Sequence, residues 1–349
     1  MPLSISEALR LARECIPKMR ENKHIPSEFD PNNLCEKDVK VMSVCRLWAG
    51  MGYIYDISIS GGFHIIVKHI VPPPQHSRCF GDQRKARSYE VEANFYRDVA
   101  PILIAENKLS IPVPYHVEND SDKSITICMS RLEGSPGYLS DDDQIQAALR
   151  WMATLHAANW DKADQLVEEK GLQPVGSYWH LDTRPSEHDS MPRRGWEGRL
   201  RRAARAIDER LKRDKMQTII HGDLKDANML FSNNGVGIYD FQYCGRAPPT
   251  VDLAYFFCVA VGDTDDKYLE FYHKQLSTLL GTSCNPPTLA QLKDSLAIAF
   301  CDFQRFMSGW GNWGSDISHH VIEVLNKLDN GTILPSEDAY REAMLEHFG

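Results

Sequence analysis

Leu3, Ile5, Leu9, Ala12, Ile16 and Met19 recur at helical spacing through a segment of mixed charge, so the first twenty residues predict an amphipathic helix. Its apolar stripe suits packing on a core better than anchoring in a membrane. The period then changes. "VMSVCRLWAGMGYIYDISIS" breaks at Gly50 and Gly52 and resumes at "GFHIIVKHIV", which predicts short strands joined by glycine turns in a small antiparallel sheet. The Pro-rich "VPPPQHSRCFGDQ" (71–83) reads as an exposed loop. Residues 84–100 return to helical spacing through Tyr89, Ala93 and Tyr96, and 124–134 alternate like a strand ending at Gly134. From Ser140 onward helical periods dominate. Strands first and helices later imply an α+β chain with two lobes: residues 1–128, a connecting hinge at 129–134, and a helical lobe over 135–349.

Composition narrows the partners more than the fold. The chain has 349 residues, of which 42% are hydrophobic and 25% charged, as expected of a folded protein. A formal net charge of -9 lacks the basic footprint that phosphate-backbone binding requires, so nucleic acid is not an expected partner. The nine cysteines are odd in number, widely spaced and without a C-x-x-C pair, which fits a reducing compartment better than a disulfide framework or zinc site. "LAYFFCVAV" (253–261) is far shorter than the roughly 20 residues that cross a bilayer, and the N-terminus has no secretory pattern. The expectation is a cytoplasmic monomer or homodimer with no membrane partner.

Most of the chemistry is concentrated in "HGDLKDANMLF" (221–231) and the "DFQ" that begins at Asp240. Between them lies Asn-Gly, a strong hairpin signal because both residues tolerate positive φ. Taking Asn234-Gly235 as the two-residue turn places Met229 opposite Asp240, with Asn228 next to it at the open end. An amide oxygen and a carboxylate about 5 Å apart suit one Mg²⁺. Asp223, in the loop entering the hairpin, is then placed as a base that accepts the proton of an attacking hydroxyl in phosphoryl transfer. Lys225 would lie beside the moving phosphoryl group.

"HGDLKDAN" followed by "DFQ" and "VDLAYFF" resembles the catalytic loop and metal-binding Asp of the kinase-like phosphotransferase superfamily. Within it the chain is similar to the aminoglycoside phosphotransferase and choline kinase-like branch, most of all to the ecdysteroid kinase-like family. The resemblance implies a bilobal protein-kinase-like fold, ATP and Mg²⁺ as cofactors, Asp223 as catalytic base, and Asn228 and Asp240 as metal ligands. It also implies that His221 braces the loop and that Asp252 holds the loop's backbone, although an Asp before "LAYFF" also suits a helix cap.

The small sheet should then supply a flexible glycine turn and a lysine. Gly50 and Gly52 offer backbone N–H groups to phosphate, in a G-x-G pattern lacking the family's third glycine. Lys68 stands in the apolar "IIVKHI", where an unpaired ammonium is costly, so it needs an anion. Glu92 matches the family's lysine-pairing glutamate, with Glu90 as the alternative, and Lys68 would reach the α and β phosphates. "ICMSRLEG" would be the hinge, with backbone around Met129 to Arg131 meeting the adenine edge. His156 and Trp160 of "LHAANW" are expected to pack behind the loop, and the acids of "SDDDQ" (140–144) to serve a helix start.

Eleven residues separate Asp240 from Asp252, too few for a peptide-docking segment, so the acceptor is expected to be a small molecule bearing a hydroxyl. "WHLDTRP" (179–185) and "CDFQRFMSGWGNWG" (301–314) are the expected pocket stretches, with Asp302 and Trp310 as candidate substrate contacts; their aromatics suit core closure equally well. Acceptors considered are a steroid-like or amino alcohol, choline or ethanolamine, and an aminoglycoside. A nucleotide-binding pseudokinase is the reading from another class, and no missing group requires it.

Overall fold

The computed structural model describes residues 3–120, 123–137, 139, 141–262 and 266–349, so Ser140, at the head of the acidic stretch, lies outside the description. The chain divides into two compact units, one of residues 1–134 with 237–242, the other of 135–236 with 243–349.

The first unit opens on α1 (Ile5–Glu21), capped by the Ser4 hydroxyl, which accepts from the Glu7 N–H. Leu11, Ala12, Cys15, Ile16 and Met19 are buried against the sheet, while Ile5 is 40% exposed, so the buried stripe is rotated slightly from its expected position. Each large aliphatic side chain on that stripe contributes roughly 1.5–3 kcal/mol, and a charge at Leu11 would undo the packing. The sheet contains β1 (Val39–Arg46), β2 (Gly52–Ile59), β3 (Phe63–Ile70), β4 (Pro114–Asp120) and β5 (Ser124–Met129) in the antiparallel order β1-β2-β3-β5-β4. Its last strand stops at Met129, five residues before the expected end at Gly134.

Helix α2 (Phe80–Asn94) begins four residues earlier than its periodicity suggests, inside the segment expected to be loop. The Asp82 carboxylate accepts from the Cys79 N–H and satisfies one of the donors a helix start leaves open. A π-turn at Phe95–Val99 carries the chain into α3 (Ala100–Asn107).

The second unit is mainly helical: α4 (Asp142–Ala158), α5 (Ala163–Lys170), α6 (Pro185–Ser190) and α7 (Gly195–Lys212) precede its short strands. Asp141 caps α4 and Asp142 and Asp143 occupy its first turn, where carboxylates complement the helix dipole. Strand β6 (Thr218–Ile220) leads to β7 (Met229–Ser232) and β8 (Gly235–Ile238), and β9 (Gly245–Ala247) pairs antiparallel with β6. Then come α8 (Thr250–Tyr255), α9 (Asp266–Leu280), α10 (Leu289–Trp310), α11 (Ser318–Asp329) and α12 (Glu337–Phe348).

The hairpin turn corrects the sequence-based count. The residues between β7 and β8 are Asn233 and Asn234, one position earlier than the expected Asn234-Gly235. The Ser232 hydroxyl accepts from the Asn234 N–H inside the turn, and Gly235 enters the strand at φ 111°, a conformation glycine tolerates. Counting across the hairpin therefore does not place Asp240 opposite Met229. All nine cysteines are free, and no helix among the described residues is long and apolar enough to cross a membrane.

Candidate active site

In the first unit, β3 alternates so that Lys68 points inward among apolar neighbours, and it is almost fully buried. Its ammonium donates to Glu92 Oε2 at 2.6 Å and to Asp240 Oδ1 at 2.9 Å. Glu90, the alternative partner, instead faces Arg87 at 3.3 Å. Two carboxylates thus share one cation, and their environments separate them. Burial pushes the Glu92 carboxyl up to about 7 against the pull of Lys68. Burial opposes ionisation of Asp240 too, but there Lys68 outweighs it and holds the carboxyl well below the usual carboxylate range. Lys68 itself, despite burial, is raised by Asp240 and Glu92 and stays charged.

Asp240 sits at φ 73°, a left-handed conformation that costs a residue with a Cβ about 1–2 kcal/mol. Phe241 and Gln242 hold it there. The Phe241 ring stacks on Phe95 with centroids 3.9 Å apart, tying the segment to the end of the helix that bears Glu92. The Gln242 amide donates to Asp240 Oδ1 and its oxygen accepts from Lys85 at 2.5 Å. Lys85 lies seven residues before Glu92 in α2, two helical turns away on the same face, a spacing that could have signalled it in advance.

Gly50 lies between β1 and β2 at φ 68°, and Gly52 opens β2 at φ 151°. A Cβ on Gly52 would lie 2.1 Å from the His69 carbonyl oxygen, so only glycine permits this approach. Met129 ends β5 in the core, and Arg131 is an exposed residue with its guanidinium 3.6 Å from Asp56.

In the second unit the loop from His221 to Asn228 is organised by backbone donors. Asp252, fully buried in the first turn of α8, accepts from the N–H groups of His221 at 2.8 Å and Gly222 at 2.9 Å. Burial works against its charge, yet the hydrogen bond and charge of His156, with those loop contacts, keep its carboxyl below the ordinary range. Asp252 thus grips the loop from within the helix, and Pro249 takes the cap position. Gly222 is at φ 81°, where a Cβ would meet the Tyr243 carbonyl oxygen at 2.3 Å. His221 is buried, and its Nδ1 accepts from the Asp223 N–H at 3.2 Å. Behind the loop, His156 also bonds the Tyr272 hydroxyl at 2.8 Å, and Trp160 is buried.

The Asp223 carboxylate meets Lys225 Nζ at 2.9 Å and accepts from the Tyr255 hydroxyl at 3.1 Å. Burial, then the charge of Asp223, raise the Tyr255 phenol far above its usual range, so it remains a donor. Tyr255 was missed from the sequence, although it lies three residues after Asp252 on a short helix. Asn228 Nδ2 donates to the Asp223 carbonyl at 2.9 Å. Among the described residues no donor reaches the Asn228 amide oxygen, a hard oxygen of the kind Mg²⁺ takes, and in the first unit the same is true of Asp240 Oδ2.

The two expected pocket stretches do meet. Trp179 packs on Phe303 at 5.3 Å, and Arg305 donates to the Trp179 carbonyl at 2.6 Å. Asp302 departs from its expected part: it is buried and its carboxylate is bound to Arg305 Nε at 2.9 Å, so it is a core ion pair rather than a substrate contact. Trp310 ends α10 and is 58% exposed.

Among solved structures, the chain is similar to a choline kinase from Cryptosporidium parvum (TM-score 0.52, 8% identity, 95% of each chain covered). A Plasmodium vivax ethanolamine kinase aligns at TM-score 0.50 and 10% identity over 88% of this chain and 85% of that one. An amicoumacin kinase solved with AMP-PNP, Ca²⁺ and its antibiotic aligns at 0.49 and 13% over 93% and 96%. At such identities the first two likenesses speak to the fold alone. Comparison with curated protein sequences finds no match. Residues 76–283, more than half of the chain, match the phosphotransferase enzyme family (APH), and the protein belongs to that family.

Proposed function

We propose that this protein is an ATP- and Mg²⁺-dependent kinase that transfers the γ-phosphoryl group to a hydroxyl of a small metabolite, in the ecdysteroid kinase-like branch of its family. The observation that carries the reading is Asp223: a buried carboxylate fixed by the Tyr255 hydroxyl and Lys225, on a loop gripped by Asp252. Asp223 orients the acceptor hydroxyl and takes its proton as the oxygen–phosphorus bond forms and the bond to the leaving ADP oxygen breaks. Lys225, beside that carboxylate, compensates charge on the transferring group. Lys68, aligned by Glu92, would contact the α and β phosphates, the turn at Gly50 and Gly52 would cover them, and backbone at Met129 and Arg131 would meet the adenine edge. Asn228 and Asp240 would hold Mg²⁺, which supplies charge neutralisation at the phosphates.

The acceptor we favour is a neutral, steroid-like alcohol, because aromatic rings surround Tyr255 and the Asp223 carboxylate bonded to its hydroxyl is paired with Lys225. The test is mass spectrometry of a metabolite extract incubated with MgATP and either the native protein or Asp223→Asn. A phosphorylated species formed only by the native protein supports the reading. If no species differs while MgATP still raises the melting temperature, a nucleotide-binding pseudokinase replaces it.

A further inference from the structure

Aromatic rings beside a carboxylate are the usual receptor for an ammonium group, yet in the second unit such a receptor is already filled by the chain itself. The Arg184 guanidinium lies 5.3 Å from the Tyr178 ring centroid, 5.2 Å from Phe306 and 5.4 Å from Trp310. The box is built for it. Tyr178 meets Phe306 edge-on at 5.5 Å, and Phe306 lies 5.5 Å from Trp310 one turn further along α10. Arg184 Nε donates to the Tyr178 carbonyl at 2.7 Å, and Nη1 donates to Glu187 at 3.1 Å, which neutralises the charge locally. Gly309 permits the approach of α6 to α10: a Cβ there would lie 1.8 Å from the Glu187 carbonyl oxygen.

The box is connected to the candidate base. The Tyr178 hydroxyl is 3.4 Å from that of Tyr255, which donates to Asp223. Burial raises the Tyr178 phenol first, and both the Asp223 and Arg184 charges act on it, as expected of a ring placed between them. A cation entering beside Asp223 would meet rings whose electron-rich faces are taken, and a second positive charge nearby.

We propose that Arg184 is a specificity-determining residue, a built-in cation that occupies the Tyr178–Phe306–Trp310 box and bars ammonium-bearing acceptors while leaving the exposed aromatic surface to a neutral, flat alcohol. The proposal rests on the reading of Asp223 as the acceptor's base, but it can fail independently. It excludes a class of substrate: choline, ethanolamine and polyamine-like acceptors should be poor ones.

The test uses the full chain and two cations of different shape, methylguanidinium and tetramethylammonium, with sodium chloride as the ionic-strength control. Arg184→Ala should melt lower than the native protein and regain several degrees with either cation at millimolar concentration, whereas native protein should not respond. Should Arg184→Ala fail to fold, Arg184→Gln, which removes the charge but keeps a polar side chain between Tyr178 and Glu187, should show the same cation response in smaller measure. If neither folded variant responds more than native protein, the box is not a cation site and the proposal falls. With MgATP, the soluble variant should gain at least tenfold in kcat/KM for choline through a lower KM, at little change in kcat. Native protein that phosphorylates choline as well as it does a neutral sterol would also overturn the proposal, while an Asp223→Asn loss in the same assay would leave the kinase reading intact. If no acceptor is phosphorylated at all, the kinase reading fails and the melting experiment still decides the box.

Discussion

The two units contain buried carboxylates of similar chemistry and hold them by different means. In the first, Glu92 and Asp240 converge on the single ammonium of Lys68, so each depends on the other's state. In the second, Asp252 is held by two backbone N–H groups and His156, and Asp223 by a phenol and a neighbouring lysine. A shared cation makes a group of charges that responds together when any member changes. Separate hydrogen bonds fix positions one by one, as a base that must accept a proton in a set direction requires.

That contrast predicts effects of different kind and size. Asp223→Asn should reduce turnover by on the order of 10²–10⁴ with MgATP binding intact, because general-base catalysis is worth that much and Asn keeps an oxygen for the Tyr255 hydroxyl. Undiminished turnover would remove Asp223 from the mechanism. Lys68→Met should cost about 3–5 kcal/mol in denaturant unfolding, since it leaves the buried Glu92 and the half-buried Asp240 without their counter-ion, and Glu92→Gln added to it should recover part of the loss. Additive effects would mean the three groups do not act as a set. Asp252→Asn keeps one oxygen acceptor for the loop and loses the charge, so a smaller loss of roughly 1–3 kcal/mol is expected, with faster amide exchange at His221 and Gly222. An unchanged exchange rate there would show that the loop holds itself.

A further effect concerns pH. Glu92 is raised in the folded state to about 7, so the stability it contributes is complete below its unfolded value near 4.5 and is lost as pH rises through 7. Glu92→Gln should flatten the stability profile between those limits. A profile identical to that of the native protein would place the titrating group elsewhere.

Much of this was legible in the chain. Period-two and period-3.6 patterns located the antiparallel sheet and the helices, because local backbone geometry dictates them. The "HGDLKDAN" and "DFQ" stretches pointed to phosphoryl chemistry, and the family resemblance they carry extended it to Lys68 and Glu92. Boundaries were less legible: α2 started early because Asp82 reaches back to Cys79, a bond set by two side chains rather than by periodicity. The hairpin turn shifted by one residue for a similar reason, since the Ser232 hydroxyl competes for the backbone of the turn.

Several side-chain partners, near and far in the chain, were not legible. Asp302 read as a free carboxylate until Arg305 claimed it, and Arg184 read as one basic residue in a pocket stretch until Phe306 and Trp310 closed around it. By itself the sequence determined which segments are strands and helices and which reactive groups the molecule owns, because both follow from neighbours within a few residues. Only the tertiary structure decided which of those groups remain available to a ligand, because burial and pairing depend on elements brought together from more than a hundred residues apart.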